Sequence, residues 1–279
     1  MRIHAVQTGQ VAIKERQRQG VGRGIARQVN TLLDSRWTDF LPIYTWVIEH
    51  PEGLIVVDTG ETARATQPDY FPWWNPYFRL GVREQVQPTD EIGPQLRARG
   101  LSPDDVRWVV LTHLHTDHAG GLAHFPHAEI LVSRREYAAA AGVAGQFRGA
   151  LPQHWPSWFA PRLVQFHAQP FGPFRQSYRL TNAGDVTLVP TPGHTGGHMS
   201  VCVQDGDVTI FFAGDTSYSE QLLLAGAVDG VSFDQAVAQQ TLHNIQQLVR
   251  TTPTVYLPSH DPGSAARLAA RQCVVGTAI

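Results

Sequence analysis

Cysteine is scarce in this chain, with two in 279 residues, Cys202 and Cys273. Two thiols do not make a disulfide framework, so the fold has to rest on a hydrophobic core. Cys202 falls in the alternating run Met199-Ser200-Val201-Cys202-Val203 and reads as a buried, inert thiol on a strand. Long apolar runs are also missing. No stretch approaches the roughly 18 apolar residues that span a bilayer, and Met1-Arg2-Ile3-His4-Ala5-Val6-Gln7-Thr8-Gly9 lacks the apolar centre of a signal peptide. A soluble, cytoplasmic protein is expected. Excess charge of one sign is absent too. The formal charge of -2 gives no global attraction to nucleic acid or to an anionic membrane. The one basic cluster, Lys14, Arg16, Arg18, Arg23 and Arg27, is interleaved with Gln and Gly. It reads as a solvated loop or an interface arm, with a homodimer as the partner in view, rather than as a nucleic-acid site.

What the chain does have is Leu111-Thr112-His113-Leu114-His115-Thr116-Asp117-His118-Ala119-Gly120-Gly121, directly after the apolar run Trp108-Val109-Val110. Four metal-binding side chains fall between positions 113 and 118. His113 and His115 are two apart, so an extended backbone points both to one side. Asp117 and His118 follow where the chain turns and add a hard oxygen and another imidazole. Such a set suffices for two adjacent metals, with zinc, iron or manganese as suitable ions.

The rest of the chain is strand-rich. Residues 2–13 suggest an opening strand, and 42–58 a hairpin turning at His50-Pro51-Glu52-Gly53 and ending in Asp58-Thr59-Gly60. Asp58 either caps that turn or orients a ligand histidine. Helices are expected over 89–100, 133–141, 233–249 and 264–271, and strands near 106–112, 128–132, 177–181, 186–190, 198–203, 208–213 and 254–257. Two irregular aromatic stretches, 62–87 and 142–176, could wall one cavity. With no linker or low-complexity break, residues 1–279 read as one domain. The expected architecture is α/β: two stacked mixed sheets with helices outside, an αββα sandwich.

Three later sites place ligand-type residues just after apolar strands: Thr191-Pro192-Gly193-His194, Ala213-Gly214-Asp215 and Pro258-Ser259-His260-Asp261. His113-x-His115-x-Asp117-His118 with His194, Asp215 and His260 resembles the ligand pattern of the metallo-β-lactamase superfamily. That resemblance implies two divalent ions, zinc first, with iron, cobalt or manganese as alternatives. His113, His115 and His194 would hold one, Asp117, His118 and His260 the other, and Asp215 would bridge them. His198 matches a structural position and is not counted among the ligands.

True β-lactamases of this superfamily carry Cys where this chain has Asp215, and glyoxalase II enzymes carry a C-terminal helical domain for which the 19 residues after His260 are too few. The chain is most similar to the N-acyl homoserine lactonases, in which Tyr218 would be the substrate-polarising tyrosine. The resemblance thus implies opening of a lactone that carries an apolar acyl chain. Asp117 would move the proton from nucleophile to leaving alkoxide. The alternatives are a phosphotriester or other ester hydrolase on the same metals, and a metal-binding redox module.

Overall fold

The computed structural model describes residues 1–232 and 234–275. The chain opens with β1 (Arg2–Ile13), helices α1 (Glu15–Arg18) and α2 (Gly24–Leu32), and the hairpin β2 (Leu41–His50) and β3 (Gly53–Val57). Then come α3 (Pro76–Leu80), β4 (Val82–Gln85), α4 (Ile92–Ala98), β5 (Val106–Val110), α5 (Thr116–Ala119), β6 (Glu129–Ser133), α6 (Arg134–Ala140), α7 (Val143–Gln146) and β7 (Arg162–Val164). The second half holds β8 (Tyr178–Arg179), β9 (Val186–Pro190), β10 (Met199–Asp205), β11 (Val208–Gly214), α8 (Glu220–Leu224), α9 (Gln235–Thr251), β12 (Thr254–Pro258) and α10 (Ser264–Ala270). The helix expected from Phe233 begins, within the described residues, at Gln235 behind an Asp234 cap; Phe233 itself lies outside them.

The strands form a seven-stranded sheet, ordered β4-β1-β2-β3-β5-β6-β7, and a five-stranded sheet, ordered β12-β11-β10-β9-β8. Both are mixed: β3, β5, β6 and β7 run parallel, as do β11 and β12, while the hairpins are antiparallel. The expected αββα sandwich is what the chain adopts. Period-two alternation builds it. Trp46, Ile48, Ile55, Val57 and Val110 face Leu188, Val201, Ile210, Phe212 and Leu257 between the sheets. Their neighbours Val47, Val56 and Val109 pack outward against Ile92 and Leu96 of α4. On the far side of the smaller sheet, Val189, Phe211 and Tyr256 bury Leu242, Ile245 and Leu248 of α9. Strands covered on both faces become nearly continuous apolar runs, as β2 and β11 are.

One edge of the sandwich gathers the strand ends that matter. The parallel pair β3–β5 brings residues 58 and 111 side by side, and the parallel pair β11–β12 does the same for 214 and 258. Main-chain bonds tie the sheets together there: Met199 N donates to Thr112 O at 2.9 Å and Tyr44 N to Ser259 O at 3.0 Å. Among the described residues no helix is long and apolar enough to cross a membrane.

The irregular stretches are less irregular than their sequence. The 62–87 segment contains α3 and the edge strand β4, and 142–176 contains α7 and the edge strand β7. The basic segment is not a solvated loop. Its Lys14, Gln17 and Arg27 are buried, and Arg27 donates to the carbonyls of Val228, Asp229 and Gly22.

Candidate metal centre

All seven residues expected as ligands converge at that sandwich edge. Their ligand atoms fall into three overlapping triads, each within 4.8 Å: His113, His115 and His194; His113, His118 and Asp215; Asp117, His118 and His260. His115 Nδ1 lies 3.0 Å from His113 Nε2 and 3.1 Å from His194 Nε2. Asp215 faces both sides: Oδ1 is 3.3 Å from His118 Nε2, while Oδ2 is 3.6 Å from His194 Nε2 and 3.4 Å from His260 Nε2. Asp117 Oδ2 sits 3.3 Å from His260 Nε2.

Local geometry explains each placement. The loop leaving β5 carries His113 and His115, and the short helix α5 turns Asp117 and His118 back toward them. That turn needs glycine at 120, because a Cβ there would stand 2.1 Å from Glu61 Oε1. His194 comes from the β9–β10 connection, and His260 follows β12 with its Nδ1 2.9 Å from Pro42 O. Asp215 follows Gly214, whose φ of 56° and closeness to His198 exclude a side chain. Both ring nitrogens of His198 are engaged: its Nε2 accepts from Asp215 N at 3.1 Å and its Nδ1 meets Thr191 Oγ1 at 2.9 Å. Burial and the His194 charge lower His198 to about 3, which keeps it neutral for that acceptor role.

Asp58 does not cap its own turn with its side chain, which reaches across to Thr112 and His118. Its backbone adopts φ 60° to end β3, a conformation that Asp tolerates better than most residues. Its carboxylate accepts from Thr112 N at 2.7 Å and lies 2.8 Å from His118 Nδ1. Two further orienting carboxylates were not read from the sequence. Asp229 Oδ2 stands 3.2 Å from His194 Nδ1, and its Oδ1 accepts from Val231 N and Ser232 N. Glu136 accepts from Leu114 N on one oxygen, and from Thr195 Oγ1 and Gly197 N on the other. The Asp229-Gly230 pair was a visible turn signal; Glu136, inside an Ala-rich helix, carried none.

The charge balance of this cluster suits divalent cations. Burial, reinforced by neighbouring imidazoles, lowers His113 well below the usual range and His115 to about 4, so both are neutral donors at pH 7. Against burial, the carboxylates of Asp215 and Asp117 raise His260 to about 10, and Asp215 and Asp58 raise His118. His118 Nε2 and Asp215 Oδ1 are buried 3.3 Å apart, make no well-aligned hydrogen bond to each other and have no other partner. Orphaned polar atoms of this kind are costly unless something meets them. Cations that take up the imidazole lone pairs displace the protons the carboxylates otherwise attract.

The sequence profile of the Metallo-beta-lactamase superfamily matches residues 38–260. The chain belongs to that superfamily. Among curated relatives, a probable metallo-hydrolase of Mycobacterium tuberculosis is 34% identical over 188 residues, covering 66% of this chain and 58% of the relative. An N-acyl homoserine lactonase of Bacillus thuringiensis is 28% identical over 231 residues, covering 79% of this chain and 82% of the relative. A solved N-acyl homoserine lactone hydrolase, with N-hexanoyl-L-homoserine bound at its catalytic metal centre, superposes with a TM-score of 0.74 at 21% identity. That superposition covers 98% of this chain and 96% of the other, and at such identity it speaks for the superfamily fold.

In this member of the superfamily, a cavity of about 550 Å³ opens beside His115 and His194. Both irregular stretches contribute to its walls, Tyr77 from 62–87 and Phe147 from 142–176, but the aromatic residues from Trp155 to Phe174 do not. Trp155 stacks on Tyr137 of α6, Phe159 meets the same ring edge-on, and Phe174 is buried beneath α9. Ile25, Val29 and Leu32 of α2 complete the apolar lining. Tyr218 is buried between two of the site histidines, its ring nearly parallel to His260 at 5.7 Å and edge-on to His194 at 6.4 Å.

Proposed function

We propose that the chain is a dinuclear metal-dependent hydrolase that opens the lactone ring of N-acyl homoserine lactones or related lactones, with residues 1–279 acting as one domain. The observation that carries the reading is the meeting of seven imidazole and carboxylate side chains in three overlapping triads, with His115 and His194 in the wall of a largely apolar cavity. The lactonase relatives support it. His113, His115 and His194 would hold one ion, Asp117, His118 and His260 the other, and Asp215 both. Zinc suits these donors best. Such a pair supplies Lewis-acid polarisation of the substrate carbonyl and an activated water.

The protein's own groups do the remaining work on this reading. Burial and the Asp215 charge hold the Tyr218 phenol well above its ordinary range, so it stays protonated and can donate to the carbonyl oxygen as negative charge develops. Asp117 lies against His260 at the edge of the cluster and carries the nucleophile's proton to the departing alkoxide. The apolar cavity walls receive the acyl chain and leave the ring over the histidines.

The test is pH-stat hydrolysis by the zinc-loaded protein of short- and long-chain N-acyl homoserine lactones, γ- and δ-lactones, paraoxon and a cephalosporin. Lactone turnover well above the others is expected. Turnover of paraoxon alone would move the activity to phosphotriesters.

A further inference from the structure

The Tyr218 hydroxyl does not stand alone. Gln17 Nε2 donates to it at 3.0 Å and to the Tyr77 hydroxyl at 2.9 Å, so both N–H bonds of one amide go to phenol oxygens. The Tyr77 hydroxyl returns a bond to Gln17 Oε1 at 3.3 Å, which fixes the plane of the amide. Gln17 is 3% exposed, lines the cavity, and sits on a helix of only four residues. That helix is anchored from outside itself. Gly230 N donates to Gln17 O at 2.8 Å, Gly20 N to Val228 O at 3.0 Å, and Thr31 Oγ1 to Gly230 O at 3.3 Å. The 228–232 loop it is fastened to also carries Asp229, the partner of His194.

We propose that Gln17 is a positioning residue for Tyr218: its amide N–H occupies the phenol oxygen from one side and leaves the phenol hydrogen directed at the substrate carbonyl. The physical argument is one of donor and acceptor counting. A buried phenol has one hydrogen to give and can receive. A neighbour that can only donate forces that hydrogen elsewhere, whereas a neighbour that can only accept captures it. Orientation before reaction is what gives an oxyanion donor its value, since no reorganisation is then needed as charge develops. The inference rests on the role proposed above for Tyr218, and it gives the 14–27 segment, which reads from sequence as a solvated loop or an interface arm, a place in the active site.

Gln17→Glu tests it, because the side chain keeps its shape while the contact to Tyr218 reverses direction. The assay is turnover of N-hexanoyl-L-homoserine lactone by wild type, Gln17→Glu, Tyr218→Phe and the double variant, with metal content and thermal midpoint measured on each. Gln17→His, which keeps an N–H donor, guards against a simple packing defect. Expected are a fall in kcat of about 10–100-fold for Gln17→Glu with KM and metal content nearly unchanged, no further loss when it is added to Tyr218→Phe, and partial recovery in Gln17→His. A full kcat in Gln17→Glu beside a slow Tyr218→Phe would overturn the role of Gln17 and leave that of Tyr218 standing. Independent, multiplying losses in the double variant would overturn it as well. An unchanged Tyr218→Phe would remove the underlying reading and this inference with it.

Discussion

Asp58 Oδ2 lies 2.8 Å from His118 Nδ1, and neither side chain is more than 1% exposed. The contact fixes which ring nitrogen of His118 faces Asp215 and Asp117, so the proposed ligand atom is set by a residue 60 positions upstream. Asp58→Asn keeps the shape of the turn and removes the negative charge. Metal affinity is expected to fall about 10–100-fold, as for other carboxylates that orient a ligand histidine. Competition with a chromophoric chelator measures it, and an unchanged affinity would show that His118 does not need this partner.

Glu61 supplies a pH dependence. It is fully buried, its Oε1 accepts from Thr62 N and Tyr70 Oη, and its Oε2 has no partner. Burial first, with the charge of Asp117 added, raises its carboxyl from 4.5 to about 8; the neighbouring Glu84 carboxyl is raised too. The folded state therefore holds a proton that the unfolded chain releases, and this contribution to stability is complete below pH 4.5 and lost as pH rises toward 8. The slope is at most about 1.4 kcal/mol per pH unit in that window. Glu61→Gln is expected to flatten it, so that the variant gains thermal midpoint over wild type at pH 8 and not at pH 5. Parallel melting curves for the two proteins across that range would refute the assignment.

Helix α2 is inverted relative to an ordinary surface helix. Its polar Arg27 and Thr31 are buried against the 228–230 loop, while Ile25 is 80% and Val29 45% exposed toward the cavity mouth. If this face receives the acyl chain, Val29→Asp should lower kcat/KM for a decanoyl lactone by about 10-fold, the worth of one buried apolar side chain, and leave a butanoyl lactone nearly unaffected. Equal losses on both substrates would place the chain elsewhere.

The same helix marks the limit of what the sequence disclosed. The αββα layering was legible because strands buried on both faces must be written as apolar runs, and β2, β5, β11 and β12 are. The set His113, His115, Asp117, His118, His194, Asp215 and His260 was legible because each follows such a run, and parallel pairing of β3 with β5 and of β11 with β12 then brings the ends together. α1 and α2 were not legible, because Arg27 and Gln17 are buried through hydrogen bonds to residues some 200 positions away. Strand β4, Val-Arg-Glu-Gln, pairs only at the sheet edge and needs no apolar signature. Asp229 and Glu136 act on histidines and loops that only the tertiary fold brings to them.

The central claim is that the seven converging side chains hold two cations. Inductively coupled plasma mass spectrometry of the purified chain, loaded with zinc and dialysed, tests it most directly, with Asp215→Ala alongside. About two zinc ions per wild-type chain and clearly fewer in the variant are expected for a dinuclear hydrolytic site. No metal retained by the wild type, or the same content in both proteins, would contradict the account.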